Sequence, residues 1–141
     1  MYFDTSYLAK FYFNEPESSA VRQLVHTADI IHSSVWALAE LHAVIHRRAR
    51  ELSISPDDAK ELSARFYEHL EAGLWKLLPV HEALLKRTSA LMVSAPADLF
   101  IRTADAVHLM TAREAGEREV WTNDRHMLTA AAYFGVTGRS I

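Results

Sequence analysis

Short apolar runs alternate with longer stretches of helical spacing along this chain. Met1–Phe3 is apolar and stops at Asp4, after which Ser6–Tyr12 reads as a short helix. Asn14-Glu15-Pro16 breaks it, and Glu17 to about His26 is helical, with Val21, Leu24 and Val25 inward. Ile30-Ile31 forms a brief strand between Asp29 and Ser33-Ser34. From Val35 to about Leu52 the helical spacing returns, and it ends in His46-Arg47-Arg48-Ala49-Arg50, where basic charge complements the helix dipole. Ser55-Pro56-Asp57-Asp58 opens the clearest helix, with a serine cap, proline at the first helical position and acids in the first turn; Gly73 marks its end. Trp75–Leu78 is a strand closed by Pro79. Helices follow at about His81–Val93 and Thr103–Glu114, then a strand at Glu119–Trp121, a helix from Asp124 to about Ala132, and a final Gly135–Gly138 segment.

Strands of this kind, alternating with helices, predict an α/β fold whose parallel sheet, of about four to five short strands, is covered on both faces. In such sheets chemistry gathers beyond the carboxyl ends of the strands.

Composition narrows the possibilities. The 141 residues make one domain, 1–141, half of it hydrophobic and 23% charged, as in a chain with a packed core. Cysteine is absent, which excludes disulfide frameworks, thiolate metal sites and cysteine nucleophiles, and suits a reducing cytoplasm. No uncharged apolar run approaches the ~18 residues of a membrane span, and no basic region followed by an apolar core opens the chain. Fifteen basic against eighteen acidic residues give a net charge of −3. Bulk charge therefore does not draw the protein to nucleic acid, and any such binding rests on a local patch.

Four carboxylates stand in telling places. Asp4 and Asp124 each follow a strand and precede a helix, where an aspartate also serves as an ordinary N-cap. Glu40, among Trp36, Ala37, Ala43 and Val44, and Asp105, between Ile101 and Leu109, lie on apolar helix faces. Acids are seldom buried without a partner. A salt bridge to Arg47 or Arg102 is the plain alternative. Taken together, the four converge at one rim of the sheet. Two carboxylates about 4 Å apart repel by roughly 4 kcal/mol at an effective dielectric of 20. Such a cluster persists when a divalent cation neutralises it or when some members are protonated. All-oxygen ligation suits Mg²⁺ or Mn²⁺, and hence a metal-dependent phosphoester site.

In order and spacing these residues resemble the PIN-domain nucleases, in particular the VapC toxins of VapBC toxin–antitoxin pairs. The likeness runs through Tyr2-Phe-Asp-Thr-Ser-Tyr-Leu-Ala-Lys-Phe-Tyr12 and Glu15-Pro16, Ser33–Leu41 around Glu40, Arg102–Ala112, and Trp121–Leu128 around Asp124. It implies a three-layer α/β/α sandwich and a Mg²⁺-dependent endoribonuclease, with Mn²⁺ as a plausible substitute, leaving a 5′-phosphate and a 3′-hydroxyl. By the same likeness Asp4, Glu40, Asp105 and Asp124 form the catalytic and metal-binding quartet, with Asp4 and Asp105 the principal ligands. Ser6, Thr122 and Asn123 support them. The expected partners are an RNA substrate, a small VapB-like antitoxin that fills hydrophobic grooves, and a second copy in a homodimer, all in the cytoplasm.

Other features remain open. Arg102, Arg125 and Lys10 are candidate contacts to a substrate phosphate, whereas Arg47-Arg48-Arg50 reads first as compensation for the helix end. His42 and His46 share zinc-ligand spacing without a third ligand. His108 shares a helix side with Asp105 and reads as a packed histidine that also has reach to the site. Tyr2, Phe3, Tyr7, Phe11, Tyr12 and Phe13 crowd one short stretch, as core or as an exposed partner patch. A non-catalytic PIN-like RNA- or protein-binding module is the alternative function. Phosphoacceptor and aspartyl-phosphatase readings lack the lysine or the second aspartate they need.

Overall fold

Two residues make up the first strand, and they decide the layering. In β1 (Tyr2–Phe3) consecutive side chains point to opposite faces, and both are fully buried. The computed structural model describes residues 1–141. β1 pairs in parallel with β2 (Ile31–Ser34) on one side and β4 (Glu119–Trp121) on the other, in the registers Tyr2↔His32 and Tyr2↔Val120. β3 (Trp75–Leu78) and β5 (Thr137–Arg139) complete an all-parallel sheet in the order β3-β2-β1-β4-β5.

Parallel neighbours need crossovers, and helices supply them. On the Phe3 face lie α1 (Thr5–Tyr12), α2 (Ser18–His26), α3 (Ala37–Arg50) and α4 (Pro56–Glu71), packed into a core with Tyr7, Leu8, Val21, Leu41, Phe66 and Trp75. On the Tyr2 face lie α5 (Glu82–Val93), α6 (Thr103–Glu114), α7 (Arg125–Ala130) and a 3₁₀ turn, Ala131–Phe134, around Leu109, Val120, Met127 and Phe134. This is the expected three-layer α/β/α sandwich, with five strands.

Local chemistry follows the expected signals at most ends. Ser55 caps α4 by accepting from the Asp58 amide at 3.0 Å, and Asp58 Oδ2 accepts from the Ser55 amide at 2.9 Å. Between α7 and β5, a Cβ at Gly138 would stand 3.0 Å from the Leu128 Cα, so glycine lets these elements approach without displacing the α7 backbone. Three boundaries shift. β2 starts at Ile31 and runs through Ser33 and Ser34, because the His32 amide bonds the Met1 carbonyl at 2.8 Å and the strand pairs along β3. Ile30 is left exposed. The last helix tightens into a 3₁₀ turn after Ala130, and the Gly135–Gly138 segment contributes an edge strand.

The aromatic run belongs mainly to the core. Tyr2, Phe3, Tyr7 and Phe13 are buried, and Phe11 and Tyr12 are half-buried against Trp75 and His69. The Trp75 indole donates to the Tyr12 hydroxyl at 2.7 Å. An exposed aromatic patch is therefore absent here. β1 sends rings to both layers, and α1 packs against α2 and α3 while Phe11 and Tyr12 reach His69 and Phe66 of α4, which gives the aromatics more room than a single helix face.

The strand order runs outward from β1 to β3, then crosses to β4 on the other side. Order thus reverses at β1, and the crevice opens at the carboxyl ends of β1 and β4.

Candidate active site

Four distant segments meet in that crevice. Asp4 follows β1, Asp124 follows β4, Glu40 comes from the first turn of α3, and Asp105 from the first turn of α6; all four line one cleft of about 420 Å³. The helical spacing explains how Glu40 reaches it. Ala37, Leu41 and Ile45 bury one stripe of α3, while Glu40, Val44 and Arg47 form the next stripe and face the cleft.

Asp4 is the buried member, 7% exposed. Its Oδ1 accepts from the Ser6 hydroxyl at 2.7 Å and from the Tyr7 amide at 2.9 Å, which also caps α1. Its Oδ2 accepts from the Thr122 hydroxyl at 2.6 Å. No cation contacts it. Burial pushes the Asp4 carboxyl above its ordinary range, because the bonds from Ser6, Thr122 and Tyr7 and the field of His108 only partly offset lost hydration. Ser6 and Thr122 thus support Asp4 as expected, and Thr122 also accepts from the Asp124 amide at 3.0 Å.

Glu40 is held by a chain that crosses the layers. Its Oε2 accepts from the Thr5 hydroxyl at 2.5 Å and meets His108 Nε2 at 2.8 Å. With the Thr5 hydrogen already on that carboxylate, the partners assign the His108 hydrogen to Nε2. His108 Nδ1 lies 2.8 Å from the Tyr2 hydroxyl. Burial raises the Glu40 pKa, but the contacts from His108 and Thr5 outweigh it and hold the carboxyl below its ordinary range. Tyr2 and Thr5 were missed by sequence reasoning; their one signal is that they flank Asp4 and Phe3. His108 is both buried and in contact with the site.

Asp105 and Asp124 share a cation. Arg102 Nε donates to Asp105 Oδ2 at 2.9 Å, and its terminal nitrogen bonds Asp124 Oδ2. Asp124 also caps α7, its Oδ1 accepting from the His126 and Met127 amides at 2.8 and 3.1 Å. Burial raises Asp124, but those amides and Arg102 together set it below the ordinary range. The plain alternatives weighed from sequence, capping and salt bridging, are thus realised in these same acids.

Three expected contributors lie elsewhere. Lys10 is buried, its amine on the Pro16 carbonyl at 2.8 Å and on Glu17 at 2.6 Å, because α1 turns it toward the 16–17 segment. Arg125 is exposed outside the cleft beside His126. The Asn123 side chain accepts from Ser140 at 3.0 Å, and only its amide approaches Ser6. Of the basic run, Arg47 lines the cleft, while Arg48 pairs with Glu15 over the Phe13 ring. His42 donates to the Leu38 carbonyl at 2.6 Å and accepts from Ser63 at 2.8 Å, so it is not a metal ligand.

The donor set fits a hard divalent cation. Four carboxylates, no sulfur, and a buried anion, Asp4, that no side chain neutralises are the chemistry such an ion needs. In the present arrangement no three of them stand close enough to share an ion, since Arg102 and His108 hold three of the four.

Known proteins resemble this chain in sequence and in fold. The sequence matches the model of the PIN domain over residues 1–133. It is 32% identical over 138 residues to Ribonuclease VapC46 of Mycobacterium tuberculosis, covering 96% of this chain and 93% of that protein. The fold is similar to the crystal structure of M. tuberculosis VapC20, described as a sarcin-ricin loop cleaving toxin, with a TM-score of 0.71 at 17% identity, covering 96% of this chain and 98% of that one. The match to the family model along nearly the whole length, together with the 32% identity to that ribonuclease, makes this chain a member of the PIN domain family.

Proposed function

We propose that this chain is a metal-dependent endoribonuclease and the toxin of a VapBC-type pair, acting in the cytoplasm as a single nuclease domain. Asp4 carries the reading: it is a buried anion without a cation, at the point where the strand order reverses. A non-catalytic binding module has no use for that charge.

Asp4, Asp105, Glu40 and Asp124 would hold Mg²⁺, or Mn²⁺ in its place. When bound, such an ion supplies a more acidic water and screens charge on the phosphoryl oxygens. Ser6, Thr122 and the Tyr7 amide orient Asp4 so that it need not reorganise on binding. His108 and Thr5 fix Glu40 Oε2, which leaves Oε1 to orient the attacking water or accept its proton. Arg102 and Arg47, the cleft's two arginines, bind the substrate phosphates. The partners of this reading are RNA, a small VapB-like antitoxin and a second copy in a homodimer.

The test is cleavage of a mixed RNA pool with Mg²⁺, with chelator, and by Asp4→Asn. Cleavage only by the unsubstituted protein with metal is expected. Equal cleavage in chelator would reject the metal-dependent reading.

A further inference from the structure

Next to the acids stands an aromatic ring that folding does not require. Phe100 lies in the segment joining α5 to α6, two residues before Arg102; it is 55% exposed and belongs to neither buried core. Its ring rests on His126, with centroids 4.4 Å apart and planes at 53°. The backbone of His126 is anchored at the cleft, its amide bonding Asp124 Oδ1 at 2.8 Å in the first turn of α7. Arg125 Nε approaches His126 Nε2 at 3.4 Å, and Arg102 bonds Asp124 on the other side. Phe100 thus stacks on a residue whose other neighbours are Arg125 and, through Asp124, Arg102.

We propose that Phe100, backed by His126, is a stacking platform for an unpaired nucleobase of the RNA, adjacent to the phosphate held at the acids. The inference deepens the ribonuclease reading and rests on it. Proteins that bind single strands combine cations that follow the backbone with aromatic faces that take the bases. Phe100 supplies the face; Arg102 and Arg125 supply the cations. A base within a duplex has both faces covered by its neighbours, so the platform selects loops and single strands. Two nearby cations suit a phosphate chain better than an apolar protein partner. This places Arg125 in RNA binding although it lies outside the cleft.

The experiment measures binding of short single-stranded RNA oligonucleotides, each carrying one 2-aminopurine at a different position. Binding is read in Mg²⁺ on the Asp105→Asn background, and cleavage in parallel on the otherwise unsubstituted chain. One 2-aminopurine position is expected to lose fluorescence on binding, as a stacked base does. Phe100→Ala should abolish that quenching and weaken affinity by about 5- to 150-fold, the range for one base on one aromatic. Phe100→Trp should restore both, whereas Phe100→Leu, apolar but without a π-face, should restore neither. Because Phe100 is exposed and outside the cores, the melting temperature reports that the variants are folded.

Unchanged affinity and quenching in Phe100→Ala, or rescue by Phe100→Leu, overturns the platform. A change of oligomeric mass in Phe100→Ala with unchanged RNA affinity also overturns it, and identifies the face as a protein contact. If the unsubstituted chain cleaves no RNA, the nuclease reading itself fails; if it cleaves and Phe100→Ala behaves as its parent, only the platform does.

Discussion

Two carboxylates, Glu117 at the amino end of the parallel sheet and Asp4 at its carboxyl end, are displaced in opposite directions. At the amino end two nitrogens converge on Glu117: the Met1 amine at 3.1 Å and His32 Nδ1 at 2.5 Å. Burial raises its pKa, but those partners outweigh it and hold Glu117 below the ordinary range. At the carboxyl end four acids share one cleft, and the most buried of them has hydroxyl and amide partners only. Its pKa is displaced upward. An acid whose partners match its charge stabilises the fold. An acid pushed the other way costs stability, and a fold keeps it when something outside the chain completes it.

The sharpest way to break this contrast is to neutralise each kind of acid. Asp4→Asn and Asp105→Asn are expected to lower RNA cleavage by at least about 100-fold, the scale of losing one charge-stabilising group at a reaction centre. A raised folded-state pKa means that the ionised Asp4 destabilises the fold once the pH exceeds that of an ordinary aspartate. Asparagine keeps the cap and removes the charge. The metal-free Asp4→Asn protein should therefore melt at the same temperature as its parent or higher; a fall of several degrees in chelator would make Asp4 an acid of the Glu117 kind.

A smaller effect is expected from the groups behind Glu40. Replacing a residue that orients a metal ligand typically costs 10- to 100-fold in metal affinity or activity. His108→Leu should weaken Mn²⁺ binding by that factor in titration calorimetry, with Tyr2→Phe at the low end. Mn²⁺ affinity unaltered in both would show that the chain from Tyr2 to Glu40 only fills space.

The structural end follows. Glu117→Gln should lower stability at pH 7 by about 1.5–3 kcal/mol, the range for hydrogen bonds to a charged group, and leave the cleavage rate unchanged. With a depressed folded-state pKa, the Glu117 contribution is present above the ordinary glutamate range and is lost as the pH falls through the folded value. The variant's denaturant midpoint should accordingly decline less steeply on acidification. The smallest effect is expected from Lys10→Gln: RNA affinity unchanged by fluorescence anisotropy, with a modest loss of stability as Glu17 loses its partner.

Much of this was legible in the chain, and the gaps have physical causes. Periodicity and caps placed the helices, most clearly α4 with its Ser55 cap. Asp4 and Asp124 announced themselves at strand ends, and Glu40 and Asp105 by standing among apolar neighbours. What periodicity does not encode is the direction of a long side chain. Lys10 and Arg125 are near the acids in sequence, yet one amine turns to Pro16 and one guanidinium lies against His126. Contacts across layers are equally silent, since nothing local links Tyr2 to His108, 106 positions away. The aromatic crowd was ambiguous for a related reason: its burial depends on β1 feeding both faces at once.

That two-residue strand ties folding fidelity to activity. A slip of one position in β1 would exchange Tyr2 and Phe3 between the layers. The phenol would enter the layer away from His108, and the imidazole of His108 would face a benzene ring with no hydroxyl. A misregistered molecule would thus be disarmed as well as destabilised, so a chain able to cut RNA is one that has already threaded its centre correctly.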